Sequence, residues 1–172
     1  VEVDWQALSV LAPAELESAM LADLGRAMSG LTEDQEDELL AALPQPHAVL
    51  WLLDWLDFEV CQGSLLAYFY NSPGRHATQA ADALDAIGAA RMATVLRAAI
   101  DSMTTAEGEW TDRRAEMSEL GEHVVARPYQ GLSNAKRLSA LTHDYWAAAK
   151  EDQWGDKLES FVVRAVATRA TP

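Results

Sequence analysis

Apolar positions recur along this chain with the period of a helix, and no stretch shows a convincing strand-like alternation. The segment from Trp51 to Gly74 shows this best, and the rest of the chain is organised around it. At about 100° per residue, Val49, Leu52, Leu53, Leu56 and Val60 share one stripe while Asp54 points away from it. Gly63 breaks that helix. A short aromatic run, Leu65 to Tyr70, then leads into Asn71-Ser72-Pro73-Gly74, which reads as a turn.

Upstream, Val3, Trp5, Leu8 and Leu11 can tie a lead-in segment onto the body. A first helix is predicted over Pro13–Met28, with proline suiting a first turn and Gly30 a stop. Thr32 and Gln35 form a capping box for a second helix ending before Pro44, and the central helix starts near Pro46. Downstream, helices are predicted over Ala77–Ile87, with Gly88 as the stop, and over Ala90–Met103. Gly108 precedes a charged helix around Thr111–His123, and Arg127–Gly131 reads as a loop. Helices over Asn134–Lys150 and Asp152–Thr168 close the chain. Short loops and the absence of internal repeats predict an all-α fold, a single-domain multi-helix bundle of about seven to nine helices over residues 1–172.

Charge changes this picture more than composition does. Nearly half of the residues are apolar, as in a globular domain. Runs such as Ala48–Leu53 are far too short to span a membrane, and no signal peptide is visible. The single cysteine, Cys61, fits a reducing, cytoplasmic setting. The net charge is −14, and it is unevenly placed. Up to Gly74 there are thirteen acids and a single base, Arg26, a net of −12. Such a pole repels nucleic acid and membrane headgroups and attracts basic surfaces, so direct nucleic-acid or membrane binding is not expected. The plain alternative is that acidic surfaces favour solubility.

Five carboxylates, Glu33, Asp34, Glu36, Asp37 and Glu38, lie within one and a half helical turns. That is about 7.5 Å of axis at roughly 1.5 Å per residue, close to the phosphate density of duplex DNA at roughly one per 1.7 Å. Such a surface can offer carboxylates to arginines and lysines built to hold phosphate. Acids in a first helical turn are also favoured simply by the helix dipole. Asp54 and Asp57 could extend the acidic face from the central helix. Glu59, at the edge of the apolar stripe, reads as structural, capping a neighbouring helix or pairing with an arginine.

No enzyme chemistry stands out. None of the four histidines, His47, His76, His123 and His143, follows an acid by three, and Glu119 with His123 is a spacing expected by chance. Cys61 lies opposite the apolar stripe and reads as a passive small residue. Phosphate loops, serine elbows and zinc pairs are missing, so no cofactor, metal or reaction is expected. Trp51, Trp55, Tyr68, Phe69, Tyr70, Tyr145 and Trp146 read as core and hairpin packing, because no basic residues interleave them. Trp51, Trp55 and Phe58 form a second apolar stripe on the central helix, which suggests a homodimer through that face.

The pattern Glu59-Val60-x-x-Gly63, followed by Tyr68-Phe69-Tyr70-Asn71-Ser72-x-Gly74, resembles the core of the bacterial DNA-mimic protein nineteen family. The likeness continues in Ala83-Leu84-x-x-Ile87-Gly88-Ala89 and in Leu141-x-x-x-Tyr145-Trp146, covering roughly residues 39–166. This chain carries Cys61-Gln62-Gly63-Ser64-Leu65-Leu66-Ala67 where the family is expected to carry an Asn-Asn-Gly-Gly-Phe-type run. The resemblance implies an all-helical protein that mimics double-stranded DNA and blocks a basic helix-turn-helix transcription factor. The matching residues Glu59, Gly63, Tyr68, Phe69, Asn71, Gly74, Gly88, Tyr145 and Trp146 would then be structural. The seven carboxylates above would form the partner-binding face. The same electrostatics suit an immunity or antitoxin-like inhibitor of a basic toxin or nuclease, or an acidic helical protein without mimicry.

Overall fold

A computed structural model of the chain describes residues 3–105 and 133–170. The charged segment Thr111–His123, with Gly108 before it and the loop Arg127–Gly131 after it, lies outside the described residues. Among the described residues there are nine α-helices and no strand. They are α1 (Trp5–Ser9), α2 (Pro13–Met28), α3 (Glu33–Ala42), α4 (Gln45–Gln62), α5 (Leu65–Tyr70), α6 (Ala77–Ile87), α7 (Ala90–Thr104), α8 (Ala135–Asp152) and α9 (Trp154–Ala170). A 3-10 helix, Ser72–His76, joins α5 to α6. None of these helices is long and apolar enough to cross a membrane.

The expected stripe is the centre of the core. Val49, Leu52, Leu53, Leu56 and Val60 are all buried, with Leu50 and His47 beside them, and Asp54 is exposed. Around this helix pack α2, α5, α6, the 3-10 turn and α9. The lead-in differs from expectation in being helical. Asp4 caps α1 by accepting the Ala7 N–H at 3.0 Å. Trp5 then meets the buried His47 ring edge to face at 5.3 Å, and the Arg169 guanidinium of α9 stacks over Trp5 at 5.2 Å. The terminal helices are thereby fastened to the central one.

The local signals act as the chemistry requires. The Thr32 N–H donates to Gln35 Oε1 at 3.0 Å while the Gln35 N–H donates to Thr32 Oγ1, the reciprocal capping box that starts α3. Gly88 ends α6 at φ +84°, a left-handed conformation that glycine adopts without a Cβ penalty. The next helix starts without a side-chain cap of its own. Instead Asp152, buried at the end of α8, accepts the N–H groups of Arg91 and Met92 at 2.9 and 3.1 Å. A carboxylate at a helix N-terminus also meets the positive end of the dipole.

Candidate functional site

The acidic helix α3 does not stand alone in solvent. Arg75, on the 3-10 turn, crosses to it and meets three of the five carboxylates. Its Nε donates to Asp37 at 3.0 Å, one terminal nitrogen donates to Glu36 at 2.5 Å, and the other lies 3.7 Å from Glu33. Burial works against the Arg75 charge, but the Glu36 and Asp37 carboxylates outweigh it and raise its pKa above the ordinary value. His76 follows, with Nε2 3.2 Å from Asp37. Burial, and then the neighbouring Arg75, lower the His76 pKa despite the carboxylates, which favours the neutral ring. Asp34 and Glu38 are exposed and meet no such partner among the described residues.

What aims Arg75 is a small frame built from the aromatic segment. Leu65–Tyr70 folds as helix α5, capped by Ser64, whose Oγ accepts the Leu66 N–H at 3.2 Å. Tyr68 and Phe69 are buried. Asn71, which joins α5 to the 3-10 turn, donates from its side-chain amide to Glu59 Oε2 at 2.5 Å. Glu59 is only 8 % exposed, so this hydrogen bond offsets part of the cost of burying a carboxylate. The sequence offered a neighbouring helix end or an arginine as its partner; the hydrogen bond seen here comes instead from the Asn71 side-chain amide.

Gly74 fixes the turn by close approach. A Cβ there would lie 2.5 Å from the Tyr68 carbonyl oxygen and 2.6 Å from Phe69 Cα, both backbone atoms. Only glycine lets the turn press onto α5 and carry Arg75 back over α3. Gly63 is similarly confined, with a Cβ meeting Ala67 Cβ at 2.6 Å.

Asp54 and Asp57 belong to a different group. Partial desolvation by the surrounding helices raises both pKa values, although Asp54 stays open to solvent; Asp57 adds to the effect on Asp54, and Asp57 accepts a hydrogen bond from Cys61 Sγ at 3.7 Å. Glu17 on α2 is raised by burial, then by Glu159 and Asp54. These four carboxylates form a second acidic patch across α2, α4 and α9. On the α4 surface the Trp51, Trp55 and Phe58 ridge runs between this side and the Glu59 side, its rings edge to face at 5.6 Å for each neighbouring pair. Glu17 and Glu159 carried no sequence signal, since each lies on an ordinary charged helix face.

The remaining candidates divide plainly. Tyr145 is fully buried, with its hydroxyl lacking a hydrogen-bond partner among the described residues, and burial pushes its pKa far up. Trp146, expected to pack inside, is 40 % exposed. Cys61 is exposed, and its thiol is pushed up by partial burial and by Asp57, which reduces the thiolate available for nucleophilic attack. Among the described residues, no group of three or more histidine, cysteine or acidic side chains is arranged to hold a metal ion.

The DMP19-like protein family matches residues 41–165, most of the chain. The chain belongs to that family. No curated protein and no solved structure matches it. The Glu59–Asn71 hydrogen bond, the Gly74 contact and the buried Tyr68, Phe69 and Tyr145 all lie inside the segment shared with the family. The carboxylates of Glu33 to Glu38 lie before it.

Proposed function

We propose that this protein is an acidic mimic of double-stranded DNA that docks onto the DNA-binding surface of a basic protein, in the first instance a helix-turn-helix transcription regulator, and blocks its binding to DNA. The reading rests on family membership together with one observation: α3 opens with a dense row of carboxylates, four of them exposed. Carboxylates presented at phosphate-like density form charge-assisted hydrogen bonds with arginine and lysine and speed the encounter of the two surfaces. Asp34 and Glu38 are the leading contacts. Glu33 and Asp37 are exposed but share Arg75, and Glu36 is mostly committed to it. Asp54 and Asp57 would contact a partner only if it also spans the aromatic ridge. The role requires no catalysis, cofactor or metal, and it belongs in the cytoplasm with the partner.

Affinity capture from the source cell's lysate, eluted by a salt gradient, tests this reading. The control combines Asp34→Lys, Asp37→Lys and Glu38→Lys. A DNA-binding protein retained by the native chain and lost by the triple variant is the expected result. Retention by a triple variant of unchanged helicity would reject the α3 face, and capture of a nuclease would favour an immunity-type inhibitor instead. The second apolar stripe retains one strongly exposed ring, Phe58. Pairing of two copies through it predicts a two-chain mass in light scattering, and a one-chain mass at micromolar concentration would remove that proposal.

A further inference from the structure

We propose that the cavity between α3, α4 and the 3-10 turn binds an organic cation, a guanidinium or ammonium head carried on a slender apolar stem. The cavity holds about 410 Å³, within the usual size of a small-ligand site. Its walls are of two kinds. Trp51, Trp55 and Tyr68 supply aromatic surface, while Glu33, Glu36 and Glu59 supply carboxylates. Arg75 also lines it, and with His76 neutral the described lining carries a formal excess of two negative charges.

Aromatic faces attract a cation through their quadrupole, and carboxylates give it charge-assisted hydrogen bonds. An anion would be repelled by the same groups, and a purely apolar ligand would desolvate carboxylates without compensation. A cation with an apolar stem satisfies both walls. The site is largely pre-formed: Trp51 and Trp55 hold each other edge to face at 76°, and the Asn71 bond fixes Glu59. Arg75, already held by Glu36, demonstrates that guanidinium geometry suits this wall. The head group could come from a free amine or from an arginine side chain on a partner protein. The inference does not depend on DNA mimicry.

Titration of the full chain with N-acetyl-arginine amide, butylguanidine and the neutral isostere N-acetyl-citrulline amide, followed by the tryptophan indole N–H resonances, tests it. Saturable shifts at Trp51 and Trp55 are expected with both cations, and much weaker binding with the citrulline isostere. Glu36→Gln, which removes a carboxylate and leaves the Arg75 charge less offset in the same cavity, and Trp55→Leu should each weaken cation binding by about tenfold, the scale of one lost charged or cation–π contact. Tighter binding of the acetylated arginine would identify a protein-borne side chain, and tighter binding of butylguanidine a free small-molecule cation. Equal binding of the citrulline isostere, or unchanged affinity in folded Glu36→Gln, would overturn the proposal. No partner protein is present in the titration, so either result leaves the mimicry reading to its own test.

Discussion

Arg75 is the residue at which stability and function should respond in opposite directions. Its side chain is 20 % exposed and reaches Glu33, Glu36 and Asp37, whose side chains are 65, 31 and 51 % exposed. The Glu33 and Asp37 contacts are half-solvated, and such pairs contribute about 0–1 kcal/mol each. The Glu36 bond is the most sheltered, and a hydrogen bond to a charged group contributes about 1.5–3 kcal/mol before solvent screening reduces it. Acids at the start of α3 keep their favourable dipole interaction, about 0.3–1 kcal/mol each, when the arginine is removed. Arg75→Gln should therefore cost about 2 kcal/mol. In urea, with a slope of about 1–3 kcal/mol per M, the midpoint should fall by roughly 1 M. Arg75→Lys, which keeps the charge without the planar fork, should lose about half as much. If mimicry operates, the same Arg75→Gln should bind its basic partner more tightly at low salt and with a steeper salt dependence, because three carboxylates lose their internal counter-charge. A cost below about 0.5 kcal/mol would refute the stability reasoning. Weaker partner binding with an intact circular dichroism spectrum would show that Arg75 organises the docking face instead of masking it.

Asp152→Ala should cost about 2–4 kcal/mol in urea unfolding, since two sheltered N–H groups at the start of α7 lose a charged acceptor, whereas Asp152→Asn should retain much of that. Gly74→Ala should cost about 2–3 kcal/mol, because the new Cβ meets backbone atoms that cannot rotate away, and native stability in that variant would contradict the close approach. Ser64 sits at φ +140° and ψ 178°, a region almost reserved for glycine. Ser64→Gly should therefore gain about 1 kcal/mol once relief of strain is set against the lost cap bond and the greater freedom of glycine when unfolded. Burial lowers the pKa of His47 and His76 from 6.5, so below that value the unfolded chain binds protons that the folded chain resists. Stability contributed by the neutral rings should fall as pH drops beneath about 6.5, and His47→Gln should flatten the urea-midpoint slope there, while the raised carboxylates of Glu17, Asp54 and Asp57 act with the opposite sign at lower pH.

Periodicity and end signals made much of the fold legible. The bounds of α2 and α6 follow from Pro13, Gly88 and the spacing of the apolar residues, and Glu59 could be placed at the core edge by its angle alone. What stayed hidden depends on contacts between residues far apart in sequence. Arg75 meets Asp37 across 38 positions and Asp152 meets Arg91 across 61, and helix periodicity carries no information about either. Summing charge to Gly74 isolated a pole of −12, yet the next residue is the arginine that folds back to neutralise part of it. The turn at Asn71–Gly74 was visible, but its 3-10 form, which sets the direction of Arg75, arises from the close packing at Gly74. Trp146 was misplaced because adjacent helical residues lie about 100° apart, so burial of Tyr145 turns its neighbour outward.

The boundary of the family match bears on which conclusions transfer. Residues 41–165 contain Glu59, Asn71 and Gly74, the frame that sets the turn, and they contain Arg75 and the tryptophan walls of the cavity. The row from Glu33 to Glu38 lies outside that segment, so family membership supports the scaffold and leaves the charge pattern of α3 to this chain. A fold carries function only through the groups displayed on it. Within the shared frame, Arg75 would hold any acidic partner group offered to it, and in this chain that group is the protein's own α3. A chain with the same frame but no acids on α3 would present the Arg75 guanidinium without these counter-charges beside two tryptophans, a surface of opposite electrostatic sense. Substituting Glu33, Glu36 and Asp37 together by glutamine removes the three acids that meet Arg75 and moves this chain toward that surface. If mimicry resides in α3, this variant should bind its basic partner more weakly, because Asp34 and Glu38 remain but the Arg75 charge is no longer offset beside them, whereas undiminished binding would assign recognition to the shared scaffold.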